Sequence, residues 1–280
     1  MQLRGKCKKC GHMENLSSET NMQESIRAEG IKVSSLAKAM KVLECFSAKE
    51  MELGVTEISN KLGMNKSSVS NIISTFCQLG YIQKCAGGKY SLGLRFLEYS
   101  FIINQHLGYS GAVYDIILDV SNCTGMIVYL GIPWGENVLY LNVVHPSSLL
   151  SQRPYTNILG ETAPMYCTGI GKAMLSAMPE SEWAERIPET RKKFTEHTLT
   201  ELDAIMDELR ACRTRGYSLD NMEKDYGIRC VGVPVYDKKG RLAAAISLSG
   251  PESNFSGESI TRYAGILKEA ALKMQERLYR

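Results

Sequence analysis

The amino-acid sequence predicts an α+β protein in which a linker helix joins an N-terminal winged helix-turn-helix to a C-terminal sheet with helices packed on it. Three observations support this fold class. Residues 55–90 combine two short helical patterns with a glycine-containing hairpin. Beyond about residue 109, strand-like apolar runs alternate with amphipathic helices. The chain has 280 residues, which is enough for two domains of ordinary size.

We expect four segments along the chain. Residues 1–30 are polar and lack periodicity, so they should form a disordered or loosely held arm. The winged helix-turn-helix occupies residues 31–92, the linker helix residues 93–108, and the second domain residues 109–280. Apolar residues surround too much of the linker helix for it to stand alone, and a partner subunit is one way to cover them. They are Leu94, Phe96, Leu97, Phe101 and Ile102.

The first domain is predicted to open with three helices. In residues 35–46, apolar side chains recur at helical spacing at Leu36, Met40 and Leu43. Thr56 is expected to cap a second helix that starts at Glu57, because its hydroxyl can accept a free backbone N–H. Gly63 should end that helix in a left-handed conformation.

The third helix, from about Lys66 to Leu79, has two different faces. Its apolar stripe consists of Val69, Ile72, Ile73, Phe76 and Leu79. The opposite face is short or polar, and such side chains can reach phosphates and base edges in a major groove. That face carries Lys66, Ser67, Ser68, Ser70, Asn71, Ser74 and Gln78.

A small basic hairpin follows the third helix. Residues 81–84 and 89–92 alternate like strands around residues 86–88, which form a turn signal. Residues 58–97 include five basic side chains and no acidic one, so this run can lie against a polyanion without repelling it. The pattern favours a DNA-binding winged helix over the alternative, a helical hairpin with a solvated polar face.

Composition restricts the classes of function. The formal net charge is +3, so the protein is not a generally basic coating protein and its positive charge is local. No apolar run approaches the roughly 20 residues needed to cross a bilayer, and no secretory signal is visible. Nine irregularly spaced cysteines suit the reduced thiols of a cytoplasmic protein.

The N-terminal arm contains one Cys-x-x-Cys pair, Cys7 and Cys10, followed by His12. A structural zinc site needs four ligands and usually pairs two such knuckles, so no metal site is predicted. A start upstream of the native one explains the arm at least as well, with Met13 or Met22 as other starts.

The second domain is predicted to contain both helices and strands. The expected helices are residues 112–120, 171–177, 181–187, 200–215 and 260–278. The expected strands are residues 125–130, 138–144, 217–219, 230–236 and 242–248. Long crossovers together with antiparallel neighbours indicate a sheet with helices packed on it.

Three segments of the second domain have the features of a small-molecule site. Residues 167–172 are glycine-rich and precede a helix, whose free N–H groups and positive dipole end suit a carboxylate or other small anion. Asp220 and residues 228–230 stand at strand and loop positions. Ser247 and Ser249 are two apart, so both hydroxyls face the same side of a strand. Each segment alone is more commonly structural than functional.

The sequence does not favour an enzyme. Its four histidines, His12, His106, His145 and His197, belong to no recognisable nucleophile–base signature. No phosphate-binding loop, dinucleotide fingerprint or zinc-hydrolase motif is present, and no cofactor is predicted. Cys167 and Cys230 are candidate nucleophiles, but buried structural thiols are commoner. The alternative function is a small-molecule enzyme with a nucleic-acid-binding appendage.

Taken in order, the segments resemble the IclR (isocitrate lyase regulator) family of bacterial transcription factors from about Val33 to the C-terminus. VTEI (55–58), LG (62–63) and KSSV (66–69) are similar to its helix-turn-helix, and LGY (79–81) and GKYSLG (88–93) to its wing. Residues 164–173 resemble its first effector loop. RGY (215–217), GIRC (227–230) and AAISLSGP (244–251) resemble its C-terminal signature.

The resemblance implies a winged helix that binds operator DNA and a GAF-like C-terminal domain that binds a small effector, often an organic acid. It also implies a homodimer or a dimer of dimers. We expect DNA contacts from Thr56, Lys66, Ser67, Ser68, Ser70, Asn71 and Lys89. The implied effector pocket combines N–H groups near Gly169 and Ile170, polar contacts from Asp220, Cys230, Ser247 and Ser249, and apolar walls from Met165 and Ile228.

The chain departs from the family pattern at several positions. Asn65 stands where Pro is frequent, and it can still cap the helix. Asn71 stands where Arg is common, which removes one expected phosphate contact and roughly one unit of log–log salt slope. Tyr166 replaces a frequent His, and residues 231–233 replace a run usually richer in Ala.

Overall fold

The computed structural model describes residues 32–107, 109–147 and 159–278. The chain divides into two compact units between Gly93 and Leu94. The predicted arm, with its cysteine pair and His12, lies outside the described residues. None of the described helices is both long enough and apolar enough to cross a membrane.

The first unit is a helix-turn-helix followed by a two-stranded wing. Its elements are α1 (Ser34–Glu44), α2 (Val55–Leu62), α3 (Lys66–Leu79), β1 (Ile82–Lys84) and β2 (Tyr90–Leu92). The two strands pair antiparallel, and the outer side of β2 exchanges backbone hydrogen bonds with Leu53. The helices and the wing share one core, formed by Val42, Leu53, Ile58, Val69, Ile73 and Ile82. The winged helix-turn-helix prediction is therefore confirmed.

The ends of α2 show one prediction right and one wrong. Gly63 ends the helix with φ at 61°, as expected of a left-handed cap. Thr56, however, does not cap its start, because α2 begins at Val55. The carboxylate of Glu57 accepts the backbone N–H of Gly54 at 2.6 Å, so a glycine fills the cap position without a capping hydroxyl.

The apolar stripe of α3 is only partly buried. Val69 and Ile73 lie in the core, and Ile72 and Phe76 are half-buried against it. The prediction is wrong for Leu79, whose side chain is 56% exposed. Leu79 is the last residue of α3, before Gly80 turns the chain away with φ at 81°.

The second unit is built on one six-stranded antiparallel sheet, with the order β5-β4-β3-β8-β7-β6. The strands are β3 (Ile127–Trp134), β4 (Asn137–Val144), β5 (Thr162–Pro164), β6 (Ser218–Asn221), β7 (Ile228–Tyr236) and β8 (Leu242–Pro251). The sequence pattern missed β5, which has only three residues.

Helices cover both faces of this sheet. The described helices of this unit are α4 (Arg95–Leu107), α5 (Tyr109–Ala112), α6 (Tyr114–Thr124), α7 (Gly169–Ala177), α8 (Glu180–Arg186), α9 (Leu202–Arg215) and α10 (Gly257–Leu278). α6 and α10 pack on one face, and α7 packs on the other with α8 and α9 against it. The predicted α+β class is confirmed, although α7 begins two residues earlier than expected.

Strand alternation gives the two faces different chemistry. On β8, Ile246 and Leu248 join the apolar core under α6 and α10. Ser247 and Ser249 point to the opposite face, which α7 covers, and both are buried. The prediction that the two serines share a side is therefore confirmed, and their burial excludes the common alternative of a water-facing pair.

Helix α7 fits closely over its own entry loop. A methyl group added at Gly171 would lie 2.3 Å from the Cα atom and 2.5 Å from the carbonyl oxygen of Met165. Because these are backbone atoms, they cannot move aside as the end of a flexible side chain does. Only glycine fits here.

We predict that Gly171→Ala lowers the free energy of unfolding by about 1–3 kcal/mol, because the added methyl displaces α7 from its packing against the entry loop. Chemical denaturation of the second unit measures this change. The matched control is Gly265→Ala on α10, where an added methyl meets nothing within 4 Å. That variant should gain about 0.5–1 kcal/mol through a less flexible unfolded chain. Equal stability of the two variants would contradict the close fit.

Candidate functional site

The exposed face of α3 is the candidate nucleic-acid interface. Asn65 precedes the helix, and its side-chain oxygen accepts the backbone N–H of Ser68 at 2.8 Å and the hydroxyl of Ser67 at 3.0 Å. The predicted Asn65 cap is therefore confirmed. Lys66, Ser67, Ser70 and Asn71 are exposed on this face, while Ser68 is half-buried. Thr56 is exposed in the first turn of α2.

Folding places acidic groups beside several cations of the acid-free run. Lys61 pairs with Glu50, and Lys89 lies 3.7 Å from a carboxylate oxygen of Glu57. The pKa of Glu57 is lowered, first by its hydrogen bond from the Gly54 backbone and then by Lys89. Across the described residues, Lys66 has no ion pair within 4 Å. The local positive charge is thus weaker than the linear sequence indicated. Lys66, the basic residue of α3, keeps its charge without a neighbouring carboxylate among the described residues.

A second candidate site lies at the N-terminus of α7. Thr168 caps the helix by accepting the backbone N–H of Gly171 at 3.2 Å. The N–H groups of Gly169 and Ile170 stand in the first turn, where no carbonyl four residues earlier is available to accept them within the helix. Their partial positive charge is suited to a carboxylate.

Backbone packing places this helix end directly on β7. A methyl added at Gly169 would lie 2.8 Å from the Cβ atom of Cys230, and one added at Gly232 would lie 2.6 Å from the carbonyl oxygen of Gly169. Ser218 on β6 donates its hydroxyl hydrogen to that same carbonyl. The sheet and the helix terminus therefore touch at their main chains.

Sheet register brings the predicted polar residues together around this contact. Asp220 on β6 stands opposite Cys230 on β7, which stands opposite Ser249 on β8. The thiol of Cys230 donates to the hydroxyl of Ser249 at 3.3 Å. Ser247 lies two residues along the same face, opposite Gly232. Four residues distant in sequence thus form one polar patch beside the start of α7.

The two predicted apolar walls, Met165 and Ile228, and the side chain of Ile170 occupy different places. Met165 is fully buried beneath α7, where its backbone faces Gly171. Ile170 is buried and reaches towards Gly131 on β3. Ile228 is half-buried at the start of β7, two residues from Cys230 on the same face. Met165 therefore supports the helix, while Ile170 and Ile228 lie nearer the polar patch.

Sequence reasoning missed two tyrosines beside the patch. Tyr129 on β3 stands opposite Ser247, and its ring centroid lies 5.5 Å from that of Tyr140 on β4. Both side chains are half-buried. Burial raises the pKa of Tyr129 to about 12 and also raises that of Tyr140, so both hydroxyls are neutral donors. The pairing of β3 with β8 places Tyr129 opposite Ser247, and the ring contact places Tyr140 beside Tyr129. Nothing in the local sequence pattern distinguishes either residue from a core tyrosine.

Sequence reasoning also missed a buried ion pair beneath the helix terminus. Lys172 on α7 is 1% exposed and pairs with Glu223, while a carboxylate oxygen of Glu208 lies 3.6 Å from its ammonium nitrogen. Burial works against the charge on Lys172, but these two carboxylates outweigh burial and raise its pKa. Lys172 therefore remains charged inside the domain.

A strained turn holds Glu223 in place. Met222 adopts φ of 62°, which costs a non-glycine residue about 1–3 kcal/mol. Thr195 donates to the carbonyl of Met222 and Thr198 to that of Glu223, each at 2.6 Å. Asp220 accepts the backbone N–H of Glu223 at 2.7 Å. Three hydrogen bonds thus hold this turn and direct Glu223 onto Lys172.

Among the described residues, the two thiols near the patch and the metal-binding side chains do not form a reactive centre. Burial raises the pKa of Cys167 to about 12 and also raises that of Cys230, so neither is a thiolate nucleophile at neutral pH. Tyr166, the departure from the family histidine, donates its hydroxyl hydrogen to the carbonyl of Lys192 at 2.6 Å. Within the described ranges, no group of three His, Cys, Asp or Glu side chains is arranged to hold a metal ion.

Comparison with known families matches both units. Residues 35–85 match the IclR helix-turn-helix domain, and residues 112–276 match the C-terminal domain of bacterial IclR transcriptional regulators. The HTH-type transcriptional regulator KdgR of Escherichia coli is 32% identical over 248 residues, which span 88% of this chain and 93% of that protein. The regulator XynR of the same organism is 29% identical over 88% of this chain and 97% of its own length.

Solved structures agree with the sequence relatives. The Thermotoga maritima IclR structure is 28% identical, with a TM-score of 0.66 over 88% of this chain and 99% of its own. An IclR homologue from Microbacterium hydrocarbonoxydans, complexed with 4-hydroxybenzoate, gives a TM-score of 0.74 over 87% of this chain and 98% of its own. At 19% identity, that second likeness shows the fold alone.

The matched domains and relatives decide the class of protein. The two curated relatives are both transcriptional regulators, and both family models describe regulator domains, which confirms the prediction that the chain is not an enzyme. The matches together cover the helix-turn-helix and most of the second unit. The chain therefore belongs to the IclR family of bacterial transcriptional regulators.

Proposed function

We propose that this regulator binds operator DNA through α3 and the wing, and that a small organic acid bound at α7 modulates this binding. The observation that carries the proposal is the convergence of the α7 N-terminus with Asp220, Cys230, Ser247 and Ser249 on one face of the sheet. Free N–H groups and a helix dipole suit a carboxylate, while neighbouring hydroxyls suit its other polar atoms.

The proposed DNA contacts are those predicted from the sequence: Thr56, Lys66, Ser67, Ser68, Ser70, Asn71 and Lys89. Exposure of most of this set supports the proposal. The face has few uncompensated charges, because Glu57 lies beside Lys89 and Asn71 is neutral. Hydrogen bonds to base edges must therefore supply a larger share of operator affinity than phosphate contacts do.

The proposed effector contacts are Gly169, Ile170, Asp220, Ile228, Cys230, Ser247 and Ser249, with Met165 supporting the helix from below. We extend this set to Tyr129, which stands opposite Ser247, and to Tyr140, whose ring packs against that of Tyr129, because both hydroxyls are neutral. Two aromatic rings next to an anion-binding helix terminus suit an acid that also carries an apolar or hydroxylated body.

We also propose that the protein acts as a homodimer or a dimer of dimers, with α4 as the linker helix. On α4, Leu97, Phe101, Ile102 and Ile103 are each more than half exposed within this chain. A helix that presents large apolar side chains over most of its circumference is covered in solution by another surface. An effector then alters DNA binding only by favouring one arrangement of the two subunits over another.

Lys66→Ala should weaken DNA binding across sequences and flatten the salt dependence by about one unit of log–log slope, because one phosphate contact is lost. Fluorescence anisotropy with random 40-bp duplexes at several salt concentrations measures this slope. Lys89→Ala should have a smaller effect, since Glu57 already offsets its charge. The control is Lys273→Ala on α10, an exposed lysine paired with Glu269. A slope that Lys66→Ala leaves unchanged excludes a phosphate contact there.

Ser247→Ala combined with Ser249→Ala should weaken effector binding about five- to 150-fold while leaving DNA affinity unchanged, because each hydroxyl contact contributes about 0.5–1.5 kcal/mol. A thermal-shift screen of small carboxylates, with 4-hydroxybenzoate among them, identifies a ligand that stabilises the folded protein. Titration of both proteins with that ligand then gives the affinities. The matched control is Ser256→Ala, an exposed serine outside the patch. A full response in the double variant would show that the ligand binds elsewhere.

Phe101→Glu should shift the protein from dimer towards monomer, because it places a charge in the apolar face of α4. Sedimentation velocity at micromolar concentration measures the change. Gln105→Glu adds the same charge at an exposed polar position of the same helix and should leave the dimer intact. If both variants sediment as the unaltered protein does, α4 is not the dimer contact.

A further inference from the structure

Among the described residues, no cation forms an ion pair with Asp220. The ammonium of Lys172 is held by Glu223 and Glu208, and the guanidinium of Arg215 lies 2.6 Å from Glu208. These two cations and two carboxylates balance one another. Asp220 is 3% exposed, and among the described residues no Lys, Arg or His nitrogen lies within 4 Å of its carboxylate.

The other groups around Asp220 supply no compensating charge. The titratable groups whose charges act on it are Lys172 on α7, Glu223 after β6, Cys230 on β7, Cys167 before α7 and Tyr140 on β4. The charged groups that line a pocket with it include His197, Arg215 and Arg229, each beside a carboxylate of its own, namely Glu196, Glu208 and Glu252. Both thiols and the tyrosine are neutral, since burial raises the pKa of each. An ionised Asp220 is thus a third, uncompensated carboxylate, and burial raises its pKa to about 7 despite the attraction of Lys172.

A bound carboxylate would add a fourth negative charge to this cluster. It is proposed to bind the N–H groups of Gly169 and Ile170. Gly169 packs against Cys230, and Cys230 stands directly opposite Asp220 in the sheet. Two carboxylates that share a site of low dielectric do not both ionise freely. A protonated Asp220 removes the repulsion and becomes a hydrogen-bond donor to the ligand.

We propose that the effector site takes up its carboxylate ligand together with one proton from the solvent, and that Asp220 holds this proton in the complex. The inference rests on the proposed organic-acid site and adds a rule of selectivity to it. Neutral Asp220 favours ligands that present a hydrogen-bond acceptor to its carboxyl group. Ionised Asp220 repels the same ligands through its negative charge.

The proposal fixes the direction of the pH dependence. Below about pH 7 Asp220 is already largely protonated, so the affinity for a carboxylate is nearly constant. Above that pH the proton must be supplied from solvent, and the dissociation constant rises up to tenfold for each pH unit. Simple monocarboxylates remain ionised throughout this range, so the change does not come from the ligand.

Calorimetric titration of the full chain tests the proton uptake. The probe is whichever of acetate, lactate, benzoate and 4-hydroxybenzoate gives the largest thermal shift at pH 6. Titrations at pH 6, 7 and 8, each in two buffers that contain no phosphate or carboxylate, titrate near that pH and differ in ionisation heat, separate buffer ionisation from binding heat. We expect uptake of close to one proton per site at pH 8, less at pH 6, and a dissociation constant at least fivefold weaker at pH 8 than at pH 6.

Two variants assign the proton to its residue. Asp220→Asn keeps the shape of the side chain but not its titration, so it should bind without proton uptake and with the same affinity at pH 6 and pH 8. His197→Gln removes an exposed imidazole, and it should leave the uptake intact. Loss of the uptake in His197→Gln would overturn the assignment to Asp220.

The outcomes separate this inference from the proposed function. Carboxylate binding with equal affinity at pH 6 and pH 8 and no proton uptake overturns the inference and leaves the organic-acid site in place. Failure of every carboxylate to bind at any pH overturns both. If Asp220→Asn does not fold, the paired-buffer titration of the unaltered protein still decides whether a proton is taken up.

Discussion

The second unit depends on close backbone contact between the N-terminus of α7 and strand β7. Gly169 and Gly232 leave no side chain between helix and sheet, and a methyl at either would meet an atom at 2.8 Å or less. The contact carries the first turn of a helix, whose N–H groups ordinarily face water, onto the polar face of the sheet. Packing and ligand chemistry therefore rest on the same few residues.

Docking of α7 also determines the electrostatics of the domain. Lys172 is the fourth residue of the helix, so seating the helix buries its ammonium. An isolated buried charge is very costly, and Glu223 offsets it only because a strained turn at Met222 holds that carboxylate in place. The same turn hydrogen-bonds Asp220, which ties the buried ion pair to the candidate ligand site.

The first unit shows how folding modifies a charge pattern. Residues 58–97 are free of acids in sequence, yet Glu50 and Glu57 lie beside Lys61 and Lys89 in space. Exposed pairs of this kind add little stability. In the proposed DNA complex they would reduce the general attraction to phosphate and leave more of the discrimination to the polar side chains of α3.

Periodicity and turn chemistry are local properties, so the sequence by itself determined the winged helix-turn-helix, most elements of the second unit, the Asn65 cap and the shared face of Ser247 and Ser249. Thr56, Leu79 and β5 were misjudged because a cap, a helix end and a three-residue strand depend on distant neighbours. Only the tertiary structure placed Tyr129 opposite Ser247 and Lys172 on Glu223. Strand order and helix docking decide such contacts, and a linear pattern contains no measure of the distance between its segments.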